Sequence, residues 1–202
     1  MSNRIANILT ILFQPLLVPM YGLLLLIAVP QFYGYNMHAK LLVIGISIFL
    51  MVILPVLWYL SLIKLKVITT PQASDRRQRI WAYLFTLLCY CGTAWFFMKL
   101  GSLVVGGVIL MASVALALVT GINFFWKISA HATGISGLLG ATLYIGFSYG
   151  VYNPPLYVVL IICCGLVCSA RLRLDAHTPW QLIAGTLLGF TVMFPLPLLI
   201  FG

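Results

Sequence analysis

The sequence has no glutamate and only two aspartates, and charged residues of every kind occupy 6% of its 202 positions. A soluble domain carries about 25% Asp, Glu, Lys and Arg, so this poverty of charge excludes an ordinary soluble fold. Two aspartates, with histidines in separate loops and no cysteine beside them, make a poor metal site, and neither a metal nor another cofactor is expected. The five cysteines, Cys89, Cys91, Cys163, Cys164 and Cys168, all lie inside apolar runs. They read as small buried hydrophobes, which removes a disulfide or zinc framework. Alternating barrel strands are absent too, because the apolar runs are continuous and far longer than the roughly 10-residue segments of an outer-membrane barrel. With no internal repeat, low-complexity segment or long linker, residues 1–202 read as one domain.

What the chain does have is apolar length. The apolar set makes up 63% of the residues and the mean hydropathy is +1.16. At about 20 residues per crossing, this suits an all-α polytopic membrane bundle of six to seven transmembrane helices. Candidate spans fall near 8–30, 41–63, 80–100, 103–125, 133–150, 154–170 and 180–201. Arg4 precedes the first, which Gln14-Pro15 and Pro19 interrupt; no small-residue cleavage site follows, so an uncleaved first helix is expected. Gly134, Gly137 and Gly140 stripe one span, and Gly185 with Gly189 form a Gly-x-x-x-Gly pair on another, a pattern that lets helix backbones approach closely.

Seven spans would put the N-terminus and the loops 64–79, 126–132 and 171–179 on one side. That face would carry Arg4, Lys64, Lys66, Arg76, Arg77, Arg79, Lys127, Arg171 and Arg173, which are nine of the eleven cations, with Asp75, Asp175, His131 and His177. The formal charge of +9 fits anionic lipid or an anionic substrate in a multi-pass membrane protein, with no nucleic acid as partner. A bacterial cytoplasmic membrane is the expected location. The positive-inside rule would make the charged face cytoplasmic, although cations recruited to a pocket would inflate the same count. Because the charges sit in loops and not at midplane between broken helices, a channel or transporter has less support.

Three loops hold the candidate chemistry. Asp75-Arg76-Arg77-Gln78-Arg79 places Arg76 and Arg79 at i and i+3 at the start of a span, either as paired guanidiniums or as a juxtamembrane lipid anchor. Trp126-Lys127-Ile128-Ser129-Ala130-His131 offers a hydroxyl, an imidazole and the free N–H groups of a helix start; alone, His131 could equally be an interfacial or capping residue. In the third loop Thr178-Pro179 starts the last helix, and His177 lies just outside its positive end, where imidazolium is disfavoured and a ring lone pair stays available. Gln181 could fix the His177 tautomer, or fold back on Thr178 as the second half of a capping box; one oxygen is expected to do one or the other. Cations, backbone donors and two neutral-capable histidines on one face suit phosphoryl transfer to a histidine.

These residues resemble motifs of the type 2 phosphatidic acid phosphatase superfamily, whose members share a helical core with vanadium-dependent haloperoxidases. Ile128-Ser129-Ala130-His131 is similar to its Pro-Ser-Gly-His motif at Ser and His. Ala170-Arg171, five residues, His177, three residues and Gln181 reproduce the spacing of Ser-Arg-x5-His-x3-Asp. The resemblance covers roughly residues 64–190. It implies a metal-independent lipid phosphatase acting on a phosphomonoester or diphosphate, such as an isoprenoid diphosphate or a glycerophospholipid phosphate, with His177 as nucleophile and His131 as acid for the leaving group. It further implies Arg171 and Ser129 on phosphate oxygens, with Lys127 among the phosphate-binding cations. Arg76 and Arg79 take the place of the family's Lys-x6-Arg-Pro by position alone. Gln181 stands where the family keeps the aspartate that orients the nucleophile. The alternative is a catalytically weak or silent relative that binds or moves an anionic lipid.

Overall fold

The computed structural model describes residues 1–29, 36–68 and 76–201, the side chains of Arg76, Arg77 and Phe201 excepted. Among these residues every element is helical: α1 (Asn3–Leu12), α2 (Val18–Ile27), α3 (Met37–Ile48), α4 (Leu54–Lys64), α5 (Arg76–Lys99), α6 (Leu103–Phe125), α7 (Ala130–Tyr149), α8 (Pro154–Arg173), α9 (Pro179–Met193) and α10 (Pro195–Phe201). Five stretches are long and apolar enough to cross a membrane: Met37–Lys64, Gln78–Lys99, Leu103–Phe125, Pro154–Arg173 and Pro179–Ile200.

The expected span over 8–30 is not one helix. It divides into two ten-residue helices, α1 and α2, each about 15 Å long and so half a hydrocarbon core. Pro15 disfavours helical backbone at Gln14, and the Gln14 N–H turns to the Ile11 carbonyl at 3.2 Å. The Tyr21 hydroxyl then donates to the freed Leu12 carbonyl at 2.8 Å, bracing the elbow between α1 and α2. A second irregularity joins α3 to α4 through a π-helical turn at Phe49–Ile53. Pro55 has no N–H for the carbonyl of Met51, and the wider turn adjusts the ladder ahead of it without ending the helix.

Helix α7 is the other departure. It has the 20 residues of a crossing but is not among the five apolar stretches, because Gly, Ser and Thr are scattered along it. Eleven of its residues are buried, from Ala132 to Gly146, and α2, α8 and α9 pack around it. A helix surrounded by protein needs no lipid-soluble surface. By contrast α8 turns Val158, Val159, Ile161 and Ile162 outward, as a lipid-facing helix should.

The glycine patterns mark the closest approach in the bundle. A methyl group added at Gly185 would stand 2.7 Å from the Ser129 carbonyl, and one at Gly189 would overlap the Thr133 carbonyl. From the other side, Gly137 and Gly140 of α7 meet Met193 and Phe190 of α9. Gly134 faces Val18 and Pro15 instead, so the stripe serves two neighbours. Elsewhere α5 and α6 form a hairpin closed at Gly101, where Ser102 N–H bonds to the Phe97 carbonyl. Trp58 of α4 stacks on Phe85 of α5 with ring centroids 4.8 Å apart and donates to the Trp81 carbonyl.

Gly189→Ala is therefore expected to force α7 and α9 apart at a cost of about 1–3 kcal/mol. Gly92→Ala, which meets nothing within 4 Å, should leave stability nearly unchanged. Thermal unfolding of both variants in detergent micelles checks this, and equal midpoints would contradict the close approach.

Candidate active site

Arg79, His131, Arg171 and His177 line one cavity of about 740 Å³, together with Thr10, Gln14, Tyr59 and Tyr83 at its polar end. The rest of its lining is mostly apolar, Leu23, Val52, Ile109, Leu138 and Met193 among it, with Thr86, Tyr90 and Thr133 the exceptions. Five segments that are remote in sequence thus meet: the end of α1 with its elbow, α4, the start of α5, the start of α7 and the α8–α9 turn.

The α8–α9 turn explains how Arg171 and His177 share a wall. Helix α8 ends with Asp175 at φ 48°, and the Ala176 N–H reaches back to the Arg171 carbonyl at 3.1 Å. This left-handed closure turns the chain within a few residues and carries His177 back beside the last turn of α8. The start of α7 is tied to the same place, because the Ser129 N–H donates to the Gln181 carbonyl at 3.3 Å.

The two uses foreseen for Gln181 occur together, on the one oxygen that was expected to serve only one. Its Oε1 accepts from the Thr178 N–H at 3.2 Å and meets His177 Nδ1 at 3.0 Å. A carbonyl oxygen has two lone pairs, so the capping box and the histidine contact do not compete. The logic also fixes protons. Because the Thr178 N–H must donate, the amide atom it meets is the oxygen; because that oxygen can only accept, His177 carries its proton on Nδ1. Nε2 is left with a lone pair. His177 is 7% exposed, and its pKa falls from 6.5 to about 4, first through desolvation, with Arg171, Arg79 and Lys127 lowering it further and the Gln181 hydrogen bond opposing them.

The His131 ring lies beside the Thr10 backbone, and its Nε2 is buried without a hydrogen-bond partner. Lys127 is half-buried outside the cavity wall; desolvation, then the charges of Arg79 and Arg171, lower its pKa. Ser129 is placed differently from its expected role. It is 0% exposed, caps α7 by accepting from the Ala132 N–H at 3.3 Å, and does not line the cavity. Ala130, where the resembling motif has glycine, is the first helical residue of α7 and has no positive φ. Asp75 and the side chains of Arg76 and Arg77 lie outside the described residues, so of the first-loop pair only the Arg79 side chain is placed at the cavity. Tyr59, Tyr83 and Thr10 were not singled out from sequence, since a tyrosine or threonine in a membrane helix carries no distinguishing signal.

Among the described residues no group of three His, Cys, Asp or Glu side chains comes together, and the one described carboxylate side chain, Asp175, is exposed. A cavity end with two imidazoles and cations on several sides, and no carboxylate within it, is built for an anion. Comparison of the chain with protein-family models, curated proteins and solved structures finds no match in any of the three.

The electrostatics have a direct consequence for pH. Because its folded pKa is depressed, the His177 imidazole stays neutral from above about pH 4 through the physiological range. Histidine NMR should show it titrating near 4, below the usual 6.5. Gln181→Glu keeps the length of the side chain and adds a negative charge beside Nδ1, which favours imidazolium and should raise that midpoint by about 1 to 3 pH units. An unchanged midpoint would mean that Gln181 does not govern the ring.

Proposed function

We propose that the protein is an integral membrane lipid phosphatase, metal-independent and similar in core to the type 2 phosphatidic acid phosphatases, acting on a lipid phosphate or diphosphate. One observation carries the reading: two imidazoles and two arginines line a cavity whose remaining wall is mostly apolar. A phosphate group fits the first part and a hydrocarbon tail the second. Helix α7, shielded by its neighbours, and the α1–α2 pair would bring the five apolar spans to the expected six to seven crossings.

The chemistry follows from the proton positions. The Nε2 lone pair of His177 attacks phosphorus as the bond to the lipid oxygen breaks. His131, protonated once the phosphate oxygens stand beside it, gives its proton to that oxygen. Arg79 and Arg171 hold the oxygens on which negative charge spreads. A water molecule then gives its proton to the now neutral His131 and attacks the phosphorus; the P–N bond breaks, its electron pair returns to Nε2, and inorganic phosphate leaves. Gln181 holds Nδ1–H in the reactive tautomer throughout, but as an amide it cannot neutralise the charge on the phosphorylated ring.

That last feature favours a second reading, a protein that binds an anionic lipid without turnover. Purified protein assayed on phosphatidic acid and farnesyl diphosphate separates the two. For the enzyme, His177→Ala should abolish phosphate release, His131→Ala should reduce it by about 10²–10⁴-fold, and Gln181→Glu should raise or retain it. Equal release by native protein and His177→Ala sinks the phosphohistidine route, and tight lipid binding with no turnover in native or Gln181→Glu protein establishes the binder.

A further inference from the structure

Building on the phosphate site proposed above, we infer that Thr10 of the N-terminal helix is a further phosphate-binding residue. It lies in the last turn of α1, just ahead of the break at which the Gln14 N–H turns to the Ile11 carbonyl, and it lines the cavity beside His131.

The hydroxyl of Thr10 is the second observation. Threonines in the apolar helices of this chain return their hydroxyls to their own backbone: Thr86 to Ala82, Thr93 to Cys89, Thr120 to Leu116 and Thr142 to Leu138, at 2.7 to 3.0 Å. This is the usual way to satisfy a hydroxyl away from water. Thr10 does not do so: its Oγ1 is buried and without a partner, as are His131 Nε2 and Arg171 Nε, and all three residues line the same cavity. Buried polar atoms without partners are costly and uncommon. A tetrahedral oxyanion supplies acceptors to a hydroxyl, a guanidinium N–H and a protonated imidazole at once. Its oxygens also draw a proton onto His131, the form in which that ring can serve a leaving group.

The test uses the intact protein in detergent micelles, with inorganic phosphate as the probe and labelled histidine resonances as the readout. Native protein should bind phosphate saturably with shifts at His131 and His177. Thr10→Val is isosteric and removes only the unpartnered hydroxyl, so its thermal midpoint should hold while phosphate affinity falls about tenfold. Thr10→Ser should return affinity to within about twofold of native. Equal affinity in native and Thr10→Val protein overturns the Thr10 site, as does a native protein that binds no phosphate. Binding that Thr10→Val weakens, in a protein releasing no phosphate from lipid substrates, retires the phosphatase reading and leaves the Thr10 site standing.

Discussion

The close approach of α7 to α9 at Gly185 and Gly189 is the constraint on which the site depends. His131 belongs to the first turn of α7, and His177 directly precedes α9. The two rings converge on one cavity because no Cβ separates the backbones that carry them. The bond from the Ser129 N–H to the Gln181 carbonyl sets the register of this contact, linking the cap of one helix to the first turn of the other. Ser129 is wholly buried in that junction. Its hydroxyl caps α7 and helps hold His131 in place, and Ser129 does not line the cavity.

Orientation and charge compensation, which a single carboxylate beside a histidine would combine, are separated here. The helix start orients Gln181, Gln181 orients His177, and nothing anionic offsets a positive ring. The cations act in the opposite sense and keep the imidazole neutral. For a nucleophile this is favourable before reaction, since the lone pair is always present, and unfavourable once the ring is phosphorylated and positive. On the proposed phosphatase reading, the compensating charge would come from the phosphoryl oxygens, held by Arg79 and Arg171.

Much of this was legible in the residues. Long apolar runs announced the five stretches able to cross a membrane; Thr178-Pro179 announced the start of α9; and the spacing of Arg171, His177 and Gln181 matched a turn that returns the chain to one wall. What escaped has physical reasons. The double use of Gln181 depends on two lone pairs lying in the directions of two donors, which spacing cannot express. Thr10 was invisible because a threonine in an apolar helix gives no sign in sequence of whether its hydroxyl returns to its own backbone or, as here, finds no partner.

Hydropathy also fails in an informative way. The helix least like a membrane span, α7, is the one at the centre of the bundle, and the span that breaks in two, α1–α2, forms a wall of the cavity. Both departures follow from the same requirement. A polar reaction centre next to lipid needs small residues so that helices can close around it, and irregular backbone so that carbonyls can be directed at its side chains; each lowers the apolar signal of the segment that supplies it. The segments that read poorly as lipid-facing helices are thus the ones bordering the cavity, while α8, whose exposed face is apolar from Val158 to Ile162, contributes to the cavity only Arg171 from its last turn.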